Sequence, residues 1–356
     1  MEVTRLPART TAVIGKSTVL ATPLESPSLC ESAWHGYFLC GEGLPLATAG
    51  NRSRVAPCAA HLHVTDEDAR RTLRFGPPTP PTTSRIASES IIRARRDAWR
   101  LSRWLRSESA FRKWALSAEG RANGRRLQLL RGSREARRCF VMGNGPSLLR
   151  CDLNQLASEV TIASNAHYLI WDQLSYIPEF LLVEDVLVAE DRADELRELV
   201  GVVKVFPFDL RPLLGPPSDD TIYVNFIREY PSFPRFSHHF ARRVFWGGTV
   251  SFMSMQLAAH LGCDPVVLIG FDHNYEVPTD RIQDTVIHSE SEDVNHIHPN
   301  YFGPGYRWHD PNVARMEIAY RAARHELESA GVRVVNATVG GKLEVFERVP
   351  FGALVT

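Results

Sequence analysis

A short glycine-rich segment gives the clearest indication of chemistry in the sequence. The apolar run 139–142 leads directly into Gly143-Asn144-Gly145-Pro146-Ser147-Leu148. Glycines after a strand let the backbone approach a ligand closely, and Pro-Ser is typical of a first helical turn, whose N–H groups favour phosphate. The segment matches neither the Walker A pattern nor the G-x-G-x-x-G fingerprint. It predicts an anion-binding turn, and the alternative is a tight strand-to-helix turn without a ligand.

A second glycine turn, Trp246-Gly247-Gly248-Thr249, precedes an apolar helical pattern over residues 249–261. Backbone amides at the start of that helix would give an anion a second contact. The alternative is that Gly248 and Thr249 only precede and cap a core helix.

Histidine and tyrosine are concentrated between Asp272 and Asp310, in a segment with little regular pattern. Such a long irregular segment inside an α/β domain is typical of a lid or binding loop. One interpretation is a metal site at His296 and His298, whereas His288 and His296 could instead be solvated loop histidines. The other interpretation takes His309, just before a helical pattern, as a general base, with tyrosines and arginines positioning phosphate.

The elements that must position these residues follow from short apolar runs alternating with helical patterns. The predicted strands cover residues 139–142, 160–163, 180–183, 202–206, 265–269 and 332–335, and the predicted helices cover 189–200, 249–261 and 311–330. This order predicts an α/β fold, a Rossmann-like, open and mostly parallel sheet with helices on both faces. Ligands of such sheets bind beyond the carboxyl ends of the strands.

Polar residues follow several of these strands and so fall at that edge. Asn165 follows the second strand, the pair Glu184 and Asp185 follows the third, and Asp272 follows the fifth. Together with the first glycine turn they form one candidate site. A single acidic pair is weak evidence for Mg²⁺.

Basic and acidic residues are unevenly distributed along the chain, although their total numbers are equal. The 356 residues include 41 basic and 41 acidic side chains, whereas residues 84–138 carry 16 basic and 5 acidic ones and residues 139–356 carry 17 and 29. We expect a poorly ordered leader over 1–83, a basic helical arm over 84–137 and the α/β domain over 138–350. The arm's arginines and tryptophans fit an anionic membrane or nucleic acid, but an amphipathic helix packed on the acidic body or on a second subunit is the favoured interpretation, and no nucleic acid is expected.

Other features of composition narrow the class of protein. No apolar run is long enough for a membrane span, and no signal peptide is evident. The six cysteines are scattered without a C-x-x-C pair, which favours a reducing compartment. We expect a cytoplasmic protein, or one bound peripherally at the inner face of a membrane.

The order of these motifs resembles that of known transferases. The first glycine turn, Asn165, Gly248-Thr249, Asp272 and a late His309 occur as in the MptE-like family, bacterial sialyltransferases of glycosyltransferase family 42 and motility-associated flagellin glycosyltransferases. The resemblance covers about residues 138–350. It implies a metal-independent transferase that uses a CMP-activated sugar, such as a nonulosonate, and a glycan or protein acceptor.

The resemblance also implies roles for individual residues. His309 would be the general base, and Tyr275 with Tyr301 or Tyr306 would bind phosphate, with His298 beside them. The nucleotide site would comprise Gly143, Asn144, Gly145, Ser147, Asn165, Glu184, Asp185, Gly248, Thr249 and Asp272. The family carries Asn after the third strand, where this chain has Glu184-Asp185.

Two other functions stay open at this point. A 6-hydroxymethylpterin diphosphokinase would use Mg²⁺ and ATP, and the His-x-His at 296 and 298 matches part of its pattern. A nucleotide-binding protein without catalysis is the third interpretation.

Overall fold

The computed structural model describes residues 83–277, 282–283 and 286–355. The predicted leader over 1–83 therefore lies, except for residue 83, outside the described residues. Within those ranges, no helix combines the length and the apolar character needed to cross a bilayer.

An eight-stranded parallel sheet forms the centre of the molecule. Its strands are β1 Cys139–Met142, β2 Val160–Ser164, β3 Phe180–Leu182, β4 Val203–Pro207, β5 Thr221–Val224, β8 Val266–Ile269, β12 Val334–Asn336 and β13 Glu347–Arg348. They lie side by side in the order β13-β12-β8-β1-β2-β3-β4-β5. The inner strands are buried on both faces, which is why their sequences are continuously apolar. The predicted α/β class is confirmed, and β5 and β13 are strands that the sequence prediction missed.

Helices and short turns cover both faces of this sheet. The α-helices are α1 Thr83–Ala115, α2 Ala118–Leu130, α3 Val186–Asp191, α4 Ala193–Glu198, α5 Arg211–Leu214, α6 Val250–Leu261 and α7 Val313–Ser329. Apolar residues of α2, α6 and α7 share one core with one face of the sheet. The 3₁₀ turns Pro146–Arg150, Leu153–Leu156 and His167–Gln173 pack with α3, α4 and α5 in the core on the other face.

The predicted helix over 189–200 is instead two short helices, α3 and α4, that meet at Arg192. Arg192 is buried, and its guanidinium donates to the carbonyl oxygen of Tyr301 at 2.8 Å and to that of Asn300. A side chain turned inward to bind these carbonyls interrupts an otherwise amphipathic helix.

The arm, formed by α1 and α2, packs on the body as the favoured interpretation expects. The guanidinium groups of Arg235 and Arg243 lie 5.4 and 5.5 Å from the centre of the Trp104 ring of α1. On α2, Asn123 hydrogen-bonds both the N–H and the carbonyl of Tyr223, at 2.7 and 2.8 Å. Asn123 therefore occupies the exposed edge of β5 as a neighbouring strand would.

Two small sheets complete the described chain. The parallel pair β6 Phe226–Ile227 and β7 Val244–Phe245 lies before the second glycine turn. The strands β9 Ile282–Gln283, β10 Val286–His288 and β11 Arg307–His309 form an antiparallel sheet inside the histidine-rich segment. This segment is therefore more regular than its sequence indicates.

Candidate functional site

The strand order places a crevice at the first glycine turn. The chain runs from β1 outward to β5 on one side and then returns to β8 on the other side of β1. The carboxyl ends of β1 and β8 are therefore the topological switch point, where open α/β sheets bind ligands. Gly143 follows β1 there and Gly270 follows β8, and the Gly143 N–H donates to the carbonyl of Ile269 at 2.7 Å.

The Asp272 carboxylate lies at the first glycine turn, where the sequence predicts a bound anion. Its Oδ2 accepts from the Ser147 hydroxyl at 2.7 Å and from the Ser147 N–H at 3.2 Å. A Cβ on Gly145 would lie 1.8 Å from the same oxygen, so only glycine fits there. In this structure the Ser147 amide and hydroxyl are therefore engaged by the chain's own carboxylate, and the role of Ser147 in nucleotide binding stays a prediction.

Two asparagines present unused acceptors at the same edge. Asn144 donates from Nδ2 to the carbonyl and the hydroxyl of Ser164, at 3.2 and 3.0 Å. Asn165 lies at φ 51°, a left-handed conformation that asparagine tolerates better than most residues. The buried Oδ1 atoms of Asn144 and Asn165 have no hydrogen-bond partner among the described residues. Buried polar atoms are rarely left unpaired, so this pair indicates a place for a ligand donor.

Glu184 is a third such residue, one strand further along. Its side chain is buried, and its Oε2 finds no hydrogen-bond partner in the described part of the chain. Burial raises the pKa of Glu184 to about 8, although the nearby Arg228 guanidinium opposes this shift. The carboxyl is therefore mostly neutral at pH 7 and can donate a hydrogen bond.

Replacing Glu184 with glutamine tests this protonation state. The folded protein holds the proton of Glu184 up to about pH 8, whereas the unfolded chain releases it near the ordinary value of 4.5. Wild-type stability should therefore fall as pH rises through this window, with a slope of up to about 1.4 kcal/mol per pH unit from this group. Glu184→Gln, which resembles the neutral acid, should remove that slope and be the more stable protein at pH 8.

Thermal unfolding of both proteins from pH 5 to pH 8.5 measures the difference. Glu198→Gln, at an exposed carboxyl of α4, is the matched control and should follow the wild type. Parallel curves for wild type and Glu184→Gln would show that Glu184 is ionised in the folded protein.

Asp185 and His309 form an ion-pairing dyad beside Glu184. Asp185 Oδ2 accepts from His309 Nδ1 at 2.9 Å, and Asp185 Oδ1 accepts from the Leu187 N–H at 2.8 Å as the N-cap of α3. Burial alone would lower the pKa of His309, but the charge and hydrogen bond of Asp185 outweigh burial and raise it. Burial would likewise raise the pKa of Asp185, and His309 lowers it overall. Asp185 thus orients the histidine, a role different from the predicted nucleotide contact.

The second glycine turn is built around a helix cap and an arginine. Thr249 caps α6, with its hydroxyl accepting from the Ser251 N–H at 3.4 Å, and Gly248 has φ 82°. The stem of Arg315 lies 3.3 Å from where a Gly248 Cβ would stand. The Arg315 guanidinium lies 5.5 Å from the centre of the Trp246 ring. The cap matches the alternative interpretation of this turn, and the arginine is a cation that sequence reasoning missed.

The predicted phosphate tyrosines differ in their surroundings. Tyr301 is fully buried, its hydroxyl is hydrogen-bonded by Asn165 and the Ala166 backbone, and its ring stacks on His296 at 4.2 Å. Tyr301 therefore packs the segment with its hydroxyl engaged, and of the two alternatives for the second phosphate tyrosine, Tyr306 is the more exposed. Tyr306 is half-buried, and its ring lies 4.0 Å from the Arg192 guanidinium.

The remaining residues of the segment are Tyr275, His296 and His298. Tyr275 is half-buried, and burial raises the pKa of its hydroxyl. His298 Nδ1 accepts from the Asn300 N–H at 3.1 Å, and His296 Nδ1 contacts Asp293 at 2.7 Å. His296 is thus held in packing contacts and is not a solvated loop residue. No group of three or more His, Cys, Asp or Glu side chains in the described ranges could hold a metal ion.

Comparisons with known proteins give distant structural neighbours. No family model matches the chain, and no curated protein matches it. MAf glycosyltransferase from Magnetospirillum magneticum AMB-1 is similar at 15% identity with a TM-score of 0.38, over 64% of this chain and 37% of that one. A mammalian sialyltransferase, solved with Gal-beta-1-3GalNAc-ortho-nitrophenol, is similar at 14% identity with a TM-score of 0.31, over 68% of this chain and 86% of that one. This chain thus spans well under half the length of the first neighbour.

Proposed function

We propose that this protein is a glycosyltransferase that moves a nucleotide-activated sugar, of the CMP-nonulosonate class, to a glycan or protein acceptor. The observation that carries the proposal is the His309–Asp185 pair, placed at the carboxyl edge of the sheet where Glu184 and Asp185 follow β3. A histidine oriented by a partly buried carboxylate is an arrangement suited to general-base activation of a hydroxyl.

The dyad assigns each nitrogen of His309 a task. Because Asp185 is an ionised acceptor, Nδ1 carries the hydrogen of the neutral ring and Nε2 carries the lone pair. Nε2 would take the proton of the acceptor hydroxyl while that oxygen bonds to the anomeric carbon. The bond from that carbon to the nucleotide phosphate oxygen breaks, and its electron pair leaves with the phosphate. Tyr275 and Tyr306 are the residues of this segment that would face the added charge.

Nucleotide recognition is proposed for the edge formed by β1, β2 and β3. The unpartnered Oδ1 atoms of Asn144 and Asn165 are acceptors suited to amino or hydroxyl hydrogens of a nucleoside, and Glu184, when neutral, adds a donor. Asp185 is engaged with His309 and Leu187, so the acidic pair does not act together in this arrangement. These features support a nucleotide held mainly by neutral hydrogen bonds.

A nucleotide panel followed by thermal unfolding tests the proposal. CMP, CDP, UDP, GDP and ATP are each added with and without Mg²⁺. CMP at about one hundred times its dissociation constant should add about 2.7 kcal/mol of stability without metal. Asn165→Gly removes the Oδ1 acceptor and suits the left-handed backbone at this position, so it should remove most of this stabilisation. Asn154→Gly, at an exposed asparagine that is not part of the proposed nucleotide site, is the control and should keep the effect of CMP.

Two outcomes would contradict the proposal. Stabilisation by ATP only in the presence of Mg²⁺ would favour pyrophosphoryl transfer of the diphosphokinase type. If no nucleotide stabilises the protein, the proposal that its donor is a nucleotide-activated sugar is wrong.

A further inference from the structure

Helix α1 uses only one of its faces to bind the body. The residues that pack on the body recur every three or four positions, at Arg100, Trp104, Glu108 and Phe111. Glu108 is buried and pairs with Arg243 at 2.9 Å. The Trp104 ring contacts Phe245 of β7, with 6.0 Å between ring centres. These contacts fix which side of the helix faces outward.

The outward side carries large apolar residues in contact with water. Their exposed fractions are 57% for Ile91, 61% for Ile92, 45% for Trp99 and 59% for Leu105. Single exposed apolar residues are ordinary on protein surfaces, but four within fifteen positions on one side of a helix are a patch. We call this side of α1 the outer face.

Arginines alternate with these apolar residues on the outer face. Arg95, Arg96 and Arg106 are exposed, and Asp97 is the one acidic residue between 91 and 107. Ile92, Trp99 and Arg106 follow one another every seven residues and therefore lie in one row along the helix. A guanidinium also lies above the Trp99 ring, since Arg103 is 5.8 Å from its centre.

We propose that the outer face of α1 binds an anionic lipid bilayer, with the helix lying parallel to the surface. Tryptophan and branched aliphatic side chains enter the boundary between headgroups and acyl chains, and the arginines contact lipid phosphates and carboxylates. Charge is what favours a lipid surface over a second protein. Cores of protein interfaces are depleted of charged residues, whereas here Ile91, Ile92 and Trp99 each have an arginine three or four residues away on the helix.

This orientation keeps the contacts between α1 and the body away from the membrane. The body packs on the opposite side of α1, through β6, β7 and the residues around them. Binding through the outer face would therefore hold the protein at a surface without breaking these contacts. The inference does not depend on the proposed transfer reaction.

Co-sedimentation of the full chain with vesicles tests the proposal. We expect binding to vesicles of phosphatidylcholine with about 30% phosphatidylserine, and little binding to phosphatidylcholine alone. The double variant Ile92→Glu/Trp99→Glu should lose binding by removing the apolar anchor. Arg95→Glu/Arg96→Glu should weaken it by about thirtyfold or more through charge alone. Val200→Glu, at a side chain 72% exposed on the body, is the matched control and should bind as the wild type does.

Circular dichroism and thermal unfolding confirm that each variant folds, which we expect because all the altered side chains are exposed. Equal binding of wild type and both double variants would overturn the proposal, as would failure of the wild type to bind anionic vesicles. A dimer in solution that Ile92→Glu/Trp99→Glu converts to monomer, without vesicle binding by either protein, would assign the outer face to a second copy instead.

Discussion

Replacing His309 with alanine is expected to lower kcat by about 10²–10⁴-fold while CMP still raises the melting temperature. The imidazole is the group proposed to take the acceptor proton, and it contributes nothing to the asparagine contacts with the nucleotide. The measurement is release of CMP from a CMP-activated nonulosonate, compared with the thermal shift by CMP on the same sample. Loss of turnover with retained nucleotide binding is the expected combination.

His325→Ala provides the matched control, because His325 is an exposed histidine on α7 and should keep wild-type turnover. Full turnover by His309→Ala would remove the general base from the proposal. Loss of both turnover and nucleotide binding would show that His309 supports the structure of the site, not only its chemistry.

The pH dependence of kcat/KM distinguishes the role of His309 as the base from the role of Asp185 as its partner. Since Asp185 raises the pKa of His309, wild-type kcat/KM should increase with pH through a value above the ordinary 6.5 of histidine. Asp185→Asn removes that charge, so the rise should move to lower pH, and its height should fall because the ring is no longer held with Nε2 as the base. An unchanged profile would show that the pair does not act in turnover.

The sequence was most informative where local pattern determines structure. The six predicted strands are present within one or two residues, because each is an apolar run that is buried on both faces. Gly143 and Asn144 follow β1 and Asn165 follows β2, as the apolar runs before them indicate. The strand β5, Thr221–Val224, was missed because a four-residue run between polar neighbours gives little pattern.

Pairings distant in sequence could not be read from local pattern. The dyad joins residues that are 124 positions apart, and the two carboxyls of Glu184 and Asp185 have opposite pKa shifts although they are adjacent. Burial raises the pKa of Glu184, whereas at Asp185 burial is outweighed by the charge and hydrogen bond of His309, which lower the pKa. The sequence around the two residues does not show this difference. The hydrogen bond from the Ser147 hydroxyl to Asp272 likewise depends on the pairing of β1 with β8.

The opposite net charges of the arm and the body explain only some of the contacts between them. Arg100 and Arg126 of the arm do pair with acidic residues of the body, but Glu108 pairs in the opposite sense with Arg243. Aromatic packing runs along the same surface, where Trp114 of α1 lies 4.8 Å from Phe208 between ring centres. Burial of aromatic area and specific hydrogen bonds therefore orient the arm, and overall charge adds little specificity.

Gly143→Ala is expected to cost about 3 kcal/mol of folding free energy or more, since it forces apart the ends of two central strands. The added Cβ would lie 2.4 Å from the carbonyl oxygen of Gly270, and a backbone atom in a buried parallel sheet cannot move aside as a side chain can. Because β1 and β8 meet at the switch point, the same displacement would widen the proposed nucleotide crevice. Denaturant unfolding measures the loss, and CMP should stabilise the surviving folded protein less than the wild type.

Gly124→Ala is expected to raise the free energy of unfolding, the opposite of the effect of Gly143→Ala. Gly124 lies inside α2, and a Cβ there would meet nothing within 4 Å, so alanine should add about 0.5–1 kcal/mol by restricting the unfolded chain. The two substitutions add the same methyl group, and their opposite signs would show that the close approach of Gly143 and Gly270, not glycine itself, is what the site requires. Equal and small effects at both positions would mean that the strand ends separate readily, and the switch-point crevice would then be a poor rigid cradle for a nucleotide.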